Sequence, residues 1–102
     1  MSIDELRERI DVIDNQLVRL LNVRVACAVE IGKLKHEHGM PVYQPEREKK
    51  VLEKVKQSAQ DLAGPLTAEA VVRIFERIID EARRAERESG STRGDFGPAS
   101  GE

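Results

Sequence analysis

The segment from Ile3 to about His38 constrains the fold most, because it has the pattern of one long helix. Apolar residues recur along it in steps of three and four, with one step missed at Arg24, as on one face of a helix. These residues are Ile3, Leu6, Ile10, Ile13, Leu17, Leu20, Cys27, Ile31 and Leu34. A capping-box pattern, Ser2 to Glu5, opens the segment, and no turn signal follows until Gly39-Met40-Pro41. We predict a helix of roughly 36 residues, about 54 Å long.

A helix of this length is longer than the diameter of a compact fold of the same chain. A compact chain of 102 residues has a radius of gyration of about 13 Å and hence a diameter on the order of 33 Å. The apolar stripe can be buried along its whole length only by a second chain, and a twofold dimer is the commonest way to supply one. We therefore expect an intertwined homodimer in which each long helix packs against the partner subunit.

Two shorter helices complete the predicted domain. Pro45 suits the first turn of a second helix, which Gly64-Pro65 ends, and Thr67 suits the N-cap of a third. The fold class is therefore all-α, with three helices in residues 1–88. From Ser89 to Glu102 the chain is rich in Gly and Ser and almost without apolar residues, which indicates a flexible tail or the stub of a linker.

Composition excludes several broad function classes. The net charge of −2 supplies no general attraction for nucleic acid or anionic membranes. No apolar run approaches the roughly 18 residues of a membrane span. The single cysteine, Cys27, excludes an internal disulfide, fits a reducing compartment and is expected in the core, and no Cys/His cluster has metal-ligand spacing. We expect a cytoplasmic protein without metal or cofactor.

Charged residues that interrupt or border the stripe are the candidates for function. Arg24 takes a position that Leu17 and Ile31 fill one heptad away on either side, and a guanidinium there is costly without an anion. Lys35 follows by eleven residues, close to three turns, so it lies on the same face about 16 Å further along. Together they could hold the two ends of a small dianion. The alternatives are a snorkelling side chain or a surface ion pair for Lys35, and for Arg24 an ion pair with the partner chain.

Arg7 shares the register of Lys35 but lies about 42 Å from it along the helix. In an antiparallel dimer, Arg7 of the partner subunit would approach the far half of the helix, so each site would contain residues of both chains. Arg47 and Glu48 flank the start of the second stripe, and Glu86 continues the apolar row of Ile79 and Ala82 in the third helix.

The candidate set contains no nucleophile with a base beside it and no glycine-rich phosphate loop. This favours a reaction that needs a bound conformation and stabilisation of developing charge. The residues closely resemble the all-helical class of chorismate mutases from about Ile3 to Arg87. The resemblance is carried by Leu6-Arg7-x-x-Ile10-Asp11-x-x-Asp14-x-x-Leu17-x-x-Leu20-Leu21-x-x-Arg24, by Ile31-Gly32-x-x-Lys35 and by Pro41-Val42-Tyr43-x-Pro45-Glu46-Arg47-Glu48.

The resemblance implies a domain-swapped helical dimer that converts chorismate to prephenate by a Claisen rearrangement, without a cofactor, in the shikimate route. It implies that Arg24 and the partner subunit's Arg7 bind the two substrate carboxylates. Lys35 would donate to the ether oxygen as the carbon–oxygen bond breaks, and Glu48 would accept from the ring hydroxyl. Arg47 would support the carboxylate at this end of the site.

Three positions depart from the best-known bacterial pattern of this family. Gln44 stands where an aspartate is common, which weakens the start of the second helix and one hydroxyl contact. Ala82 stands where a serine occurs, which removes a minor carboxylate contact. Glu86 stands where many members have a glutamine that donates to the ether oxygen, and only a protonated carboxyl can do so. Burial would raise the pKa of Glu86, while Lys35 and Arg24 would lower it, so its direction is open from sequence.

Two other functions are compatible with these residues. Isochorismate–pyruvate lyases of the same fold use a similar cationic site for a related elimination. The chain could also be a non-catalytic helical dimerisation or regulatory module, as a domain or partner of a larger shikimate-pathway enzyme.

Overall fold

The computed structural model describes residues 1–41 and 43–93 and contains three helices there, α1 (Ile3–Glu37), α2 (Pro45–Leu62) and α3 (Ala68–Arg93), with no strand. Helix α3 packs against both α1 and α2. The predicted all-α class and the helix count are confirmed. Because α1 alone has 35 residues, the chain extends over 54 Å with a radius of gyration of 17.4 Å, against about 13 Å for a compact chain of this size.

Local chemistry sets the helix ends largely as predicted. The Ser2 hydroxyl accepts from the Glu5 amide at 3.1 Å, and the Glu5 carboxylate accepts from the Ser2 amide at 2.8 Å, which completes the capping box. The Thr67 hydroxyl accepts from the Ala70 amide at 3.0 Å at the start of α3. Pro45 is the first residue of α2, but its N-cap Gln44 makes no side-chain capping bond. The weaker helix start expected from Gln44 stays a prediction, which the missing capping bond supports.

Two helix ends differ in detail from the sequence prediction. Helix α2 ends at Leu62, and the left-handed residue that follows is Ala63, with φ of 52°, although Gly64 is its neighbour. Helix α3 continues past Glu88 to Arg93, although Gly90, a residue that commonly ends a helix, lies within this extension. The predicted end at Glu88 therefore comes too early, and residues 94–102 of the predicted tail lie outside the described residues.

The single chain buries little of its apolar surface. Ala82 of α3, 4% exposed, is the one buried hydrophobic residue in the described part of the chain. In α1, partly covered positions begin at Arg24, whereas every residue of the N-terminal half is exposed. The exposed residues include most of the predicted stripe: Ile3, Leu6, Ile10, Ile13, Leu17 and Leu20. The prediction of Cys27 as a core residue is wrong for the single chain, where it is exposed, because it lines an open cavity beside the partly covered half of α1 and is not packed under another helix.

Candidate active site

The predicted site residues meet in one cavity of about 420 Å³ between the C-terminal half of α1, the start of α2 and the C-terminal half of α3. This volume lies within the range of small-molecule sites. The cavity is lined by all of the candidates except Arg7, namely Arg24, Lys35, Gln44, Arg47, Glu48, Ala82 and Glu86. Arg7 lies on the exposed N-terminal half of α1, away from this cavity. One chain thus assembles the cationic site without Arg7.

Arg24 is supported by an aromatic ring and has no carboxylate partner within the described residues. Its guanidinium carbon lies 5.9 Å from the centre of the Phe75 ring, which is within the range of a cation–π contact. An ion pair that would make Arg24 purely structural is therefore not formed by the described part of its own chain. Arg24 lines the cavity, so its guanidinium can donate hydrogen bonds to an anion bound there.

Arg83 is a fourth cation of the cavity, and the sequence interpretation missed it. Its guanidinium donates to the Glu48 carboxylate and, at 3.3 Å, to Oδ1 of Asp80, and its carbon lies 5.8 Å from the centre of the Tyr43 ring. Arg83 lies three residues before Glu86 on α3, so the helical spacing could have placed it on the same face. It was missed because an arginine in a helix rich in charged residues usually faces solvent.

Glu86 is half-buried between the three helices, and this decides the direction of its pKa. Burial raises the pKa of Glu86 above its ordinary value, and the negative charge of Glu48 adds to the rise. Lys35 and Arg83 oppose the rise. Burial therefore has a larger effect on the pKa of Glu86 than Lys35 has. The sequence interpretation expected Arg24 to be the second cation that lowers this pKa, but the structure has Arg83 in that place. A raised pKa favours the protonated carboxyl, the form that can donate a hydrogen bond.

Gly32 makes room for the Glu86 carboxyl. A Cβ atom at Gly32 would lie 2.9 Å from Oε2 of Glu86, closer than such contacts occur in proteins, and 3.6 Å from its Cδ. Glycine in the interior of a helix costs roughly 0.5–1 kcal/mol relative to alanine. At this point of α1 the glycine therefore lets a side chain of α3 lie directly against the helix backbone.

The chemistry available in the cavity is electrostatic. Four cationic side chains and two carboxyl groups line it together with apolar residues such as Ile31, Val51 and Ile79. No group of three or more His, Cys, Asp or Glu in the described ranges is arranged to hold a metal ion. No described helix is long and apolar enough to cross a membrane. The arrangement is suited to binding a small dianion and stabilising negative charge that develops on it.

Comparison with known families shows to which family the chain belongs. The family described as chorismate mutase type II matches residues 6–87. The chain belongs to this family. A solved chorismate mutase (form II) from Thermus thermophilus superposes with a TM-score of 0.77 at 30% identity, and the match covers 83% of this chain and 93% of that one.

Relatives in the same family are often longer. Bifunctional chorismate mutase/prephenate dehydratases from Aquifex aeolicus and Neisseria gonorrhoeae are 38% and 44% identical to this chain, over 76% and 84% of its length. The matches cover only 22% and 24% of those two proteins. The chorismate mutase domain described here therefore spans about a quarter of these relatives.

Proposed function

We propose that this domain converts chorismate to prephenate by a Claisen rearrangement. The observation that carries the proposal is the single cavity in which α1, α2 and α3 bring together Arg24, Lys35, Glu48 and Glu86. In this rearrangement one carbon–oxygen bond breaks and one carbon–carbon bond forms within the same molecule, so no proton, water or cofactor needs to enter the balance. Catalysis then depends on holding the folded conformer and stabilising charge on the ether oxygen.

Each cavity residue is assigned the role that the family resemblance implies and that its chemistry allows. Arg24, held against Phe75, binds one substrate carboxylate in the bidentate manner typical of arginine. Lys35 and the protonated Glu86 donate to the ether oxygen as negative charge collects there. These donors come from α1 and α3, which pack directly on each other.

The remaining residues bind the other parts of the substrate. Glu48, at the start of α2, accepts from the ring hydroxyl, and Arg47 supports the carboxylate at this end of the cavity. Gln44 and Ala82 line the wall without supplying the charge or hydroxyl common at those positions in the family.

The second substrate carboxylate is assigned to Arg7 of the partner subunit in an intertwined, domain-swapped homodimer. The exposed apolar residues of the N-terminal half of α1 support this, since Leu6, Ile13 and Leu17 are 44%, 46% and 52% exposed in the single chain. A chain with one buried hydrophobic side chain in its described part has too small a core to be stable alone. Each of the two sites would then contain residues from both chains.

In its cellular setting, the domain would act in the shikimate route in the cytoplasm, alone or joined to another enzyme of that route. The single cysteine supports a reducing compartment. The much longer bifunctional relatives support fusion to, or association with, a prephenate-consuming enzyme.

The proposal is tested by incubating the protein with chorismate and isochorismate separately and identifying the products. Prephenate from chorismate supports the mutase assignment, while salicylate and pyruvate from isochorismate would assign it to the lyases. Arg24→Ala and Lys35→Ala should each lower kcat/KM by roughly 100-fold or more while the dimer persists. Arg77→Ala is the matched control, since Arg77 is exposed and pairs with Glu81 at 2.7 Å on the surface of α3. Absence of turnover in the wild type with either substrate would refute the assignment.

A further inference from the structure

The guanidinium of Arg83 contacts three other side chains, whereas an arginine of a helix rich in charged residues usually faces solvent. One nitrogen donates to Glu48 of α2, the other terminal nitrogen donates to Asp80 one turn earlier in α3, and the guanidinium carbon lies 5.8 Å from the centre of the Tyr43 ring. A guanidinium has fixed donor geometry, so partners in several directions leave it little rotational freedom. The side chain is 37% exposed, and it lines the same cavity as Glu48 and Glu86.

The bond between Arg83 and Glu48 joins positions 35 residues apart and therefore ties the start of α2 to α3. The side chain of Glu48 is 31% exposed and has several rotatable bonds, so without a partner it could leave the cavity wall for solvent. Because Oε2 is the atom that Arg83 binds, the other carboxylate oxygen is left for a ligand hydroxyl. The contact thus gives Glu48 one orientation.

Arg83 also affects the charge at this end of the cavity. Glu86 faces Lys35 of α1, Glu48 of α2 and Arg83 on its own helix, and Arg24 and Arg47 line the same cavity. Two carboxyl groups that share a site disfavour each other's ionised form, and a cation beside both relieves this. Arg83 is that cation, because it binds Glu48 and lowers the pKa of Glu86.

We propose that Arg83 is a positioning residue of this site, which orients the Glu48 carboxylate toward the substrate and offsets the negative charge of Glu48 beside Glu86. The catalytic part of this inference rests on the proposed mutase function. Arg83 acts through Glu48 and does not bind the substrate itself.

A double-mutant cycle of Arg83→Met and Glu48→Gln tests whether Arg83 acts through Glu48. Arg83→Met should lower kcat/KM about tenfold, the size of one charge-assisted hydrogen bond at a partly exposed position. Arg83→Lys should recover most of this loss, and Arg83→Gln, which also removes the charge, replaces Arg83→Met in the cycle if that variant does not fold. The double variant should be no less active than Glu48→Gln alone. Losses that multiply would overturn the proposal, because Arg83 would then act independently of Glu48.

A second measurement does not depend on activity. Titration of the Glu86 carboxyl carbon by NMR should show a higher pKa in Arg83→Met than in the wild type, because a cation has been removed beside it. Arg77→Met, which removes a surface arginine of the same helix, should leave the pKa of Glu86 unchanged. An unchanged pKa of Glu86 in Arg83→Met would refute the charge role. If the wild type did not turn over chorismate, the proposed function would fail, but this titration would still decide the role of Arg83.

Discussion

Replacing Gly32 with alanine should lower the activity while changing the free energy of unfolding only slightly. The added Cβ would lie 2.9 Å from Oε2 of Glu86, whereas the contacts to its Cδ and Cγ at 3.6 and 3.7 Å are ordinary. Only the end of the Glu86 side chain must move, by about 0.5 Å, at a cost of roughly 0.5–1.5 kcal/mol for a distorted rotamer. The helix gains about 1 kcal/mol from alanine in place of glycine. The free energy of unfolding should therefore change by less than about 1 kcal/mol.

Activity should respond differently, because the displaced group is a proposed donor to the ether oxygen. Misplacement by about 1 Å costs on the order of 100-fold, so about half that displacement should lower kcat/KM roughly tenfold. The assay is the initial rate of chorismate consumption, with thermal unfolding measured on the same samples.

The matched control is Gly64→Ala, where a Cβ meets no atom within 4 Å, and its activity should equal that of the wild type. In the Glu86→Ala background, Gly32→Ala should instead stabilise the protein by the full ~1 kcal/mol, since nothing is left to displace. Wild-type activity in Gly32→Ala would refute the reasoning. A destabilisation above about 2 kcal/mol would show that the backbone of α1, and not the Glu86 side chain, has to move.

Other substitutions test the remaining conclusions. Burial raises the pKa of Glu86 and only its acid form donates, so wild-type activity should fall as pH rises through that pKa. Glu86→Gln should keep its activity over the same pH range. Identical declines of both proteins toward alkaline pH would disprove this. Ala63→Gly should stabilise the protein by about 1 kcal/mol in thermal unfolding, because φ is 52° there, and an unchanged midpoint would contradict it. Gln44→Asp should raise the free energy of unfolding by about 1 kcal/mol as an N-cap, and an unchanged thermal midpoint would contradict this. Leu17→Glu should weaken the proposed dimer about 100-fold in sedimentation and abolish turnover with it, and an active monomer would refute the shared site.

Much of the fold and most of the site were predictable because they depend on local rules. Capping at Ser2 and Thr67 and the start of α2 at Pro45 depend on residues within one helical turn. The places of Arg24 and Lys35 in the cavity were also predictable, since their charges stand out against a periodic apolar stripe, whereas Gln44 and Ala82 were expected there only from the family resemblance. The length of α1 followed from the absence of any turn signal.

Only the tertiary structure decided what depends on several helices at once. The direction of the Glu86 pKa is a balance between burial by neighbouring helices and three charged groups from α1, α2 and α3, which no single segment contains. The role of Arg83 depends on Glu48 and Tyr43, which lie far from it in sequence, and helical spacing alone cannot separate it from a solvated arginine. The purpose of Gly32 is visible only where α3 meets α1. Sequence determined which residues form each helix and which faces carry charge, because those are short-range properties. Packing decided which charges meet and in which direction the pKa of Glu86 moves, because electrostatic and steric effects depend on distance in space.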